Sequence, residues 1–238
     1  MRIRLPLGRT VFFVCAFLFA AAALLPLRLA LDWLGLDQKG ISARETEGSM
    51  WLGSIREARL GPIPLGDLHA RLRSLPLLLG RARVDLVRDG DQGRLEGSVT
   101  SSRHAFALDD IDGALDVGSA FAPIPVTALS LSDVTARFED GLCVQADGAV
   151  KATVAGTMAG IGAPASLSGS ARCDRQSLLI ALSSASAGEA IEIRIDGRGR
   201  YQAELLLRGA DPAIHSGLIA AGFVPAPGGY VVRTAGQF

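Results

Sequence analysis

Lysine is nearly missing from this 238-residue chain: Lys39 and Lys151 are the only two among 24 basic residues, the rest being arginine. The 24 acidic residues bring the formal net charge to zero, and no run of like charge occurs. A nucleic-acid binder normally carries a basic face or tail, so this balance argues against that class. Histidine and cysteine are scarce, and His69, His104 and His215 are scattered. No CxxC pair exists, and the spacing excludes a zinc site. Low-complexity stretches are absent, which leaves the termini and short loops as the places for disorder.

Catalytic signatures are missing too. No serine sits in a G-x-S-x-G elbow. Gly160-Ile161-Gly162 lacks the third glycine of a dinucleotide fingerprint, and Gly197-Arg198-Gly199 reads as a turn. Neither precedes a Walker-type Lys-Ser/Thr. Asp109, Asp110, Asp112 and Asp116 form the densest carboxylate group. They lack the ligand spacing and closing glutamate of a calcium loop, and read as a solvated turn and strand edge. The expectation is a protein that is not an enzyme and uses no metal, cofactor or small-molecule substrate.

What is present begins at the N-terminus. Arg2, Arg4 and Arg9 precede an uncharged, largely apolar stretch from Val11 to Leu27, followed by Arg28. Its 17 residues fall slightly short of a hydrocarbon core of about 30 Å at about 1.5 Å per residue. Arg28 can snorkel, and Trp33 suits the headgroup level. The pattern predicts a cytoplasmic basic tail over 1–10, a transmembrane signal-anchor over 11–31, and a periplasmic domain over 32–238. Ala20-Ala21-Ala22 offers a cleavage site as the alternative. Cys143 and Cys173 are the two cysteines of the exported part; the readings are a disulfide or two buried thiols.

That exported part alternates with period two. Leu68, Ala70 and Leu72 alternate with polar neighbours, as do Ala82, Val84 and Leu86; Val134, Ala136 and Phe138; and Ile191, Ile193 and Ile195. Such strands bury one face, as in antiparallel sheets. Asp89-Gly90, Asp140-Gly141, Asp147-Gly148 and Asp196-Gly197 read as hairpin turn pairs. The fold expected is mainly β, a curved antiparallel sheet or sandwich-like domain. A short C-terminal helix is capped by Asp211 and Pro212 and ends at Gly222, and a last strand covers Tyr230 to Arg233. Phe121 to Pro125 is the candidate hinge between possible halves 40–121 and 126–238.

Aromatics make up only 5% of the chain, so Trp51 stands out between Gly48 and Gly53. It reads either as a core anchor or as an exposed docking residue.

Gly48-Ser-Met-Trp-Leu-Gly53, Ala58-Arg-Leu60, Pro64-Leu-Gly-Asp-Leu68 and Leu75-Pro-Leu-Leu-Leu-Gly-Arg81 follow one another in order. Cys143-x-x-Ala146-x-Gly148-x-Val150, Leu167-Ser-Gly169, Cys173 and Asp196-Gly-x-Gly-x-Tyr201 come after them. Together they resemble protein N of the type II secretion system. Gly48, Trp51, Gly53, Leu65, Gly66, Asp67 and Gly80 carry the likeness in the first half; Ser49 and Met50 depart from the family's usual residues beside the tryptophan. The resemblance implies a bitopic inner-membrane protein, an accessory part of the export machinery with other secretion proteins as partners and no catalytic activity. A rival reading is a periplasmic lipid-handling protein with an apolar groove, discriminated by whether the concave face is open or packed.

Overall fold

The computed structural model describes residues 11–14, 16–17, 20, 41–42, 44–49, 51–88, 90, 93–154, 157–158, 161–162, 166–209 and 215–238. Residues 11–14, 16–17 and 20 are helical, and most of the expected 11–31 anchor lies outside the described residues. Among the described residues no helix is long and apolar enough to cross a membrane.

Strands follow wherever apolar and polar residues alternate. In chain order they are β1 (Ile41–Ser42), β2 (Glu45–Ser49), β3 (Leu52–Leu60), β4 (Ile63–Arg73), β5 (Ala82–Arg88), β6 (Leu95–Ser101), β7 (Ala105–Asp116) and β8 (Val126–Glu139). There follow β9 (Leu142–Val154), β10 (Thr157–Met158), β11 (Ile161–Gly162), β12 (Ser166–Asp174), β13 (Ser177–Ser183), β14 (Glu189–Ile195), β15 (Arg200–Arg208), β16 (Val224–Ala226) and β17 (Gly229–Gln237). Two short helices interrupt them, α1 (Ser74–Leu78) and α2 (His215–Ala220).

All but β10 and β11 join one open antiparallel sheet, in the order β1-β3-β4-β5-β6-β7-β8-β9-β12-β13-β14-β15-β17-β16, with β2 also pairing β3. The architecture is therefore a single long meander; the sandwich-like alternative, two stacked sheets, does not form. Most strands pair with the next one in sequence, the cheapest connection in loop-closure entropy; β1–β3, β9–β12 and β15–β17 skip over short strands.

Asp140-Gly141 makes the two-residue hairpin expected of it, with φ of 49° and 82°, the left-handed pair that a tight hairpin needs. Asp147-Gly148 does not make a turn. It lies inside β9, where the β8–β9 register shifts between Ser132 and Thr135. Gly148 has φ 112°, and a Cβ there would lie 2.5 Å from the Asp133 carbonyl oxygen. The sequence Asp-Gly suits a bulge as well as a turn, because both need φ > 0; strand pairing on either side decides between them. Positive φ recurs at Asp110 and Gly113 in β7 and at Asp133 in β8, so irregularities stack across three adjacent strands and bend the sheet.

The bend lets the inner face close on itself. Val117, Ala120, Phe121 and Ile124, from the β7–β8 connection, are buried in one cluster with β8, β9 and β12–β15. The Tyr201 hydroxyl donates to the Ala120 carbonyl, and Thr234 Oγ1 donates to the Ala122 carbonyl at 2.8 Å. Phe121, Tyr201 and Phe238 pack ring against ring, at 5.2 Å and 4.8 Å between successive centroids. The expected hinge segment is thus packed across the inner face, and the sheet runs on past it without a break.

Leu218 of α2 and Phe223 complete the cover. Helix α2 lies within the helix expected near the C-terminus, while its proposed caps Asp211 and Pro212 fall outside the described residues. The last strand is longer than expected, Gly229–Gln237. A smaller cluster of Ile55, Ala58, Leu68 and Ala70 holds β3 and β4, with Val84 and Leu86 only half-buried beside it.

Candidate functional site

Three surface features are built from residues that the sequence singled out: the β2 edge, a bulged polar groove, and the tip between β4 and β5. The β2–β3 hairpin pairs Gly48 with Gly53 and Ser49 with Leu52. A Cβ on Gly48 would lie 2.6 Å from the Leu52 carbonyl oxygen, so the two strands touch backbone to backbone there. Trp51 occupies the turn and is half-buried, between the two roles the sequence allowed it; Leu52 beside it is 67% exposed. Among the described residues no strand lies beyond β2. A two-residue hairpin closed at Ser49 and Leu52 points the backbone groups of Thr46 and Gly48 away from β3.

Leu65, Gly66 and Asp67 sit one strand further in. The β3–β4 register breaks between Ile55 and Ala58, and Glu57 is left-handed at φ 49°. Asp67 Oδ1 accepts the Glu57 amide at 2.9 Å and holds that bulge. The Leu65 carbonyl accepts Arg88 Nη1 at 2.9 Å. Gly80 closes α1: its amide reaches the Leu77 carbonyl and the Arg81 amide reaches the Pro76 carbonyl, both at 3.0 Å, a helix-ending pattern of the Schellman kind. The seven family-pattern residues therefore lie on β2, β3 and β4 and in the turns that join β2 to β3 and β4 to β5.

The stacked bulges open a groove of about 590 Å³ on the polar face, lined by Asp109, Asp110, Asp133, Thr135, Asp147 and Arg83 among others. Asp109 accepts from Thr100 at 3.1 Å and stands 3.8 Å from Arg83. Asp112 accepts the Asp133 amide at 3.0 Å, and Asp116 accepts the Gly118 amide at 2.9 Å. The Asp109, Asp112 and Asp116 carboxylates thus serve different strands and turns, and the Asp110 amide donates to Thr135 Oγ1 at 3.3 Å. Among the described residues no group of three His, Cys, Asp or Glu side chains is placed to hold a metal.

Cys143 and Cys173 are bonded, joining the start of β9 to the end of β12. Close by, the Asp174 carboxylate receives Arg194 Nη1 at 2.5 Å. That hydrogen bond holds Asp174 below the ordinary carboxylate range, and the same contact raises Arg194. Burial pushes Asp196 up, but hydrogen bonds from Arg200 and the Arg198 amide outweigh it and leave the carboxyl lowered. A depressed folded-state pKa contributes stability that is full above the ordinary value of about 3.9 and is lost as pH falls through the folded value. Acid should therefore weaken the fold below about pH 4, and Asp174→Asn with Asp196→Asn should flatten that loss in acid-titrated denaturation. An unchanged acid slope would refute the assignment.

Sequence reasoning missed two things. Arg88 is 3% exposed, and its signal was phase: it continues the apolar positions Ala82, Val84 and Leu86. Asp133 and Asp147 join Asp109 and Asp110 only through strand register, which leaves no local signal.

A bent, single-sheet β protein stapled by one disulfide is the class these observations define. The family model of type II secretion system (T2SS) protein N matches residues 39–233. The chain belongs to that family. No curated protein and no solved structure matches it.

Proposed function

We propose that the chain is a non-catalytic assembly component of the type II secretion machinery. In this reading residues 11–31 anchor it in the inner membrane, residues 32–238 are periplasmic, and the β2 edge pairs with a strand of another secretion component. Family membership supports a role in that machinery. The observation that carries the mechanism is the β2 edge, beyond which no strand lies among the described residues and which can offer backbone groups to a partner strand. At the opposite edge β16 spans only Val224–Ala226 and contains Pro225, and it covers β17 only at Gly229–Val231.

Deletion of the chain followed by assay of extracellular proteins tests the role; unchanged secretion with the rest of the pathway intact counts against it. Thr46→Pro tests the edge. Thr46 points its amide outward, so proline removes a donor to the partner while costing the isolated fold less than about 1 kcal/mol. Crosslinking to secretion components should drop several-fold, with the unfolding midpoint nearly unchanged. Full crosslinking by the variant would rule out edge pairing.

One observation favours lipid handling as a second reading. The apolar face of β4–β6, with Leu72, Val84, Leu86 and Val99, is half-buried where the β8–β15 face is covered. Lipid retained through purification would support it, and its consistent absence would remove it.

A further inference from the structure

The β4–β5 connection is unusual for a surface loop. Residues 71–83 read Arg-Leu-Arg-Ser-Leu-Pro-Leu-Leu-Leu-Gly-Arg-Ala-Arg, four arginines and no acid. Leu75 is 76% exposed and Leu79 is 79% exposed. Standing four residues apart, they share one side of the α1 turn. Single exposed leucines are ordinary, but two on one projecting tip are not. The Gly53↔Ala70 pairing puts the β2–β3 turn, with exposed Leu52, at the same end of the sheet. Arg71, Arg73 and Arg81 are exposed at the feet of the tip, and Arg73 Nε is held at 2.7 Å from Asp85.

We propose that this tip inserts into an anionic bilayer surface, with Leu75 and Leu79 among the acyl chains and the arginines at headgroup level. A protein partner fits less well. A standard interface needs roughly 800 Å² from each side, usually with shape complementarity, and a short convex tip supplies neither. A bilayer accepts a convex apolar projection directly, and arginines match its anionic headgroups. Reach is sufficient. Ile41 pairs with Leu60 at the far end of β3, and the nine residues from 32 to 40, beyond the anchor, extend at most about 31 Å. From Ile63, paired with Leu60, to Arg71 at headgroup level, β4 rises only about 26 Å.

The proposal rests on the reading that the N-terminal segment tethers the chain to a membrane, and the experiment separates the two. The full chain carrying Cys15→Ser is reconstituted in phosphatidylcholine vesicles with or without phosphatidylglycerol. An environment-sensitive fluorophore is placed at Leu79→Cys or, as a control, at Ile219→Cys, which is 44% exposed in α2. Quenching by lipids with nitroxide-labelled acyl chains should be at least ~3-fold stronger at 79 than at 219 on phosphatidylglycerol vesicles. It should fall toward the control with Arg71→Gln and Arg81→Gln, and with salt raised to about 1 M.

A chain that floats with vesicles but shows equal quenching at both positions overturns this proposal alone. A chain that floats with neither vesicle overturns the tether as well. Protection of position 79 that arises only when other secretion proteins are added assigns the tip to a protein and also overturns it.

Discussion

Replacing Arg88 by methionine is expected to destabilise the fold by about 3–5 kcal/mol, lowering the denaturant midpoint with little change in slope. The guanidinium lies inside the bend of the sheet. Its Nε donates to the Gly93 carbonyl at 3.1 Å, Nη1 to the Leu65 carbonyl at 2.9 Å, and Nη2 to the Ala114 carbonyl at 2.5 Å. Those carbonyls belong to the β5–β6 turn, to β4 and to β7, so one side chain ties together elements that the sheet separates by two strands. Burial lowers the Arg88 pKa, yet the planar fork stays charged at any working pH because arginine starts so high. Methionine keeps much of the apolar stem but loses three hydrogen bonds from a charged donor to the Gly93, Leu65 and Ala114 carbonyls, each at about 1.5–3 kcal/mol at most. Lysine should fall between, since one ammonium cannot reproduce the fork. If R88M unfolds within about 0.5 kcal/mol of the parent, the clamp is not what holds the bend.

Opening the Cys143–Cys173 bridge should cost on the order of 3–4 kcal/mol, from the chain entropy of a loop with a sequence separation of 30. The bridge lies where β9 begins and β12 ends, next to the backbone bond from the Cys143 amide to the Gln176 carbonyl at 2.8 Å. Cys143 itself is buried in the main cluster, with Cys173 packed against it. Reductant should therefore lower the unfolding midpoint of the parent to about that of Cys143→Ala/Cys173→Ala, and leave the double variant unmoved. A parent whose midpoint ignores reductant would show that the bridge contributes nothing. Formation of the bridge also needs an oxidising compartment, so the folded yield should depend on export.

Period two at Leu68–Leu72, Val134–Phe138 and Ile191–Ile195 was enough to place β4, β8 and β14 and to assign their buried sides, because alternation is a local consequence of the pleat. The same reasoning misread Asp147-Gly148. A glycine at positive φ, as Gly148 is, says that the chain must bend, and only the partner strand says whether it reverses. Phe121 to Pro125 looked like a boundary because proline interrupts the strands. Its apolar residues belong instead to the core, a placement that depends on Tyr201, 80 positions later, meeting it from β15.

The sequence by itself determined the strands, the Cys143–Cys173 pairing as one of two readings, and the ordered pattern from Gly48 to Tyr201 that carries the family likeness. These depend on neighbours within a few residues or on residue identity alone. Tertiary structure decided that the strands make one bent sheet instead of two stacked ones. It also decided that Arg88 is an internal clamp, that Trp51 is half-buried, that the aspartates are shared among strands, and that Leu75 and Leu79 project beside exposed arginines. Each of those depends on register and sheet curvature, which are set by bulges summed over many strands and leave no mark in any single segment.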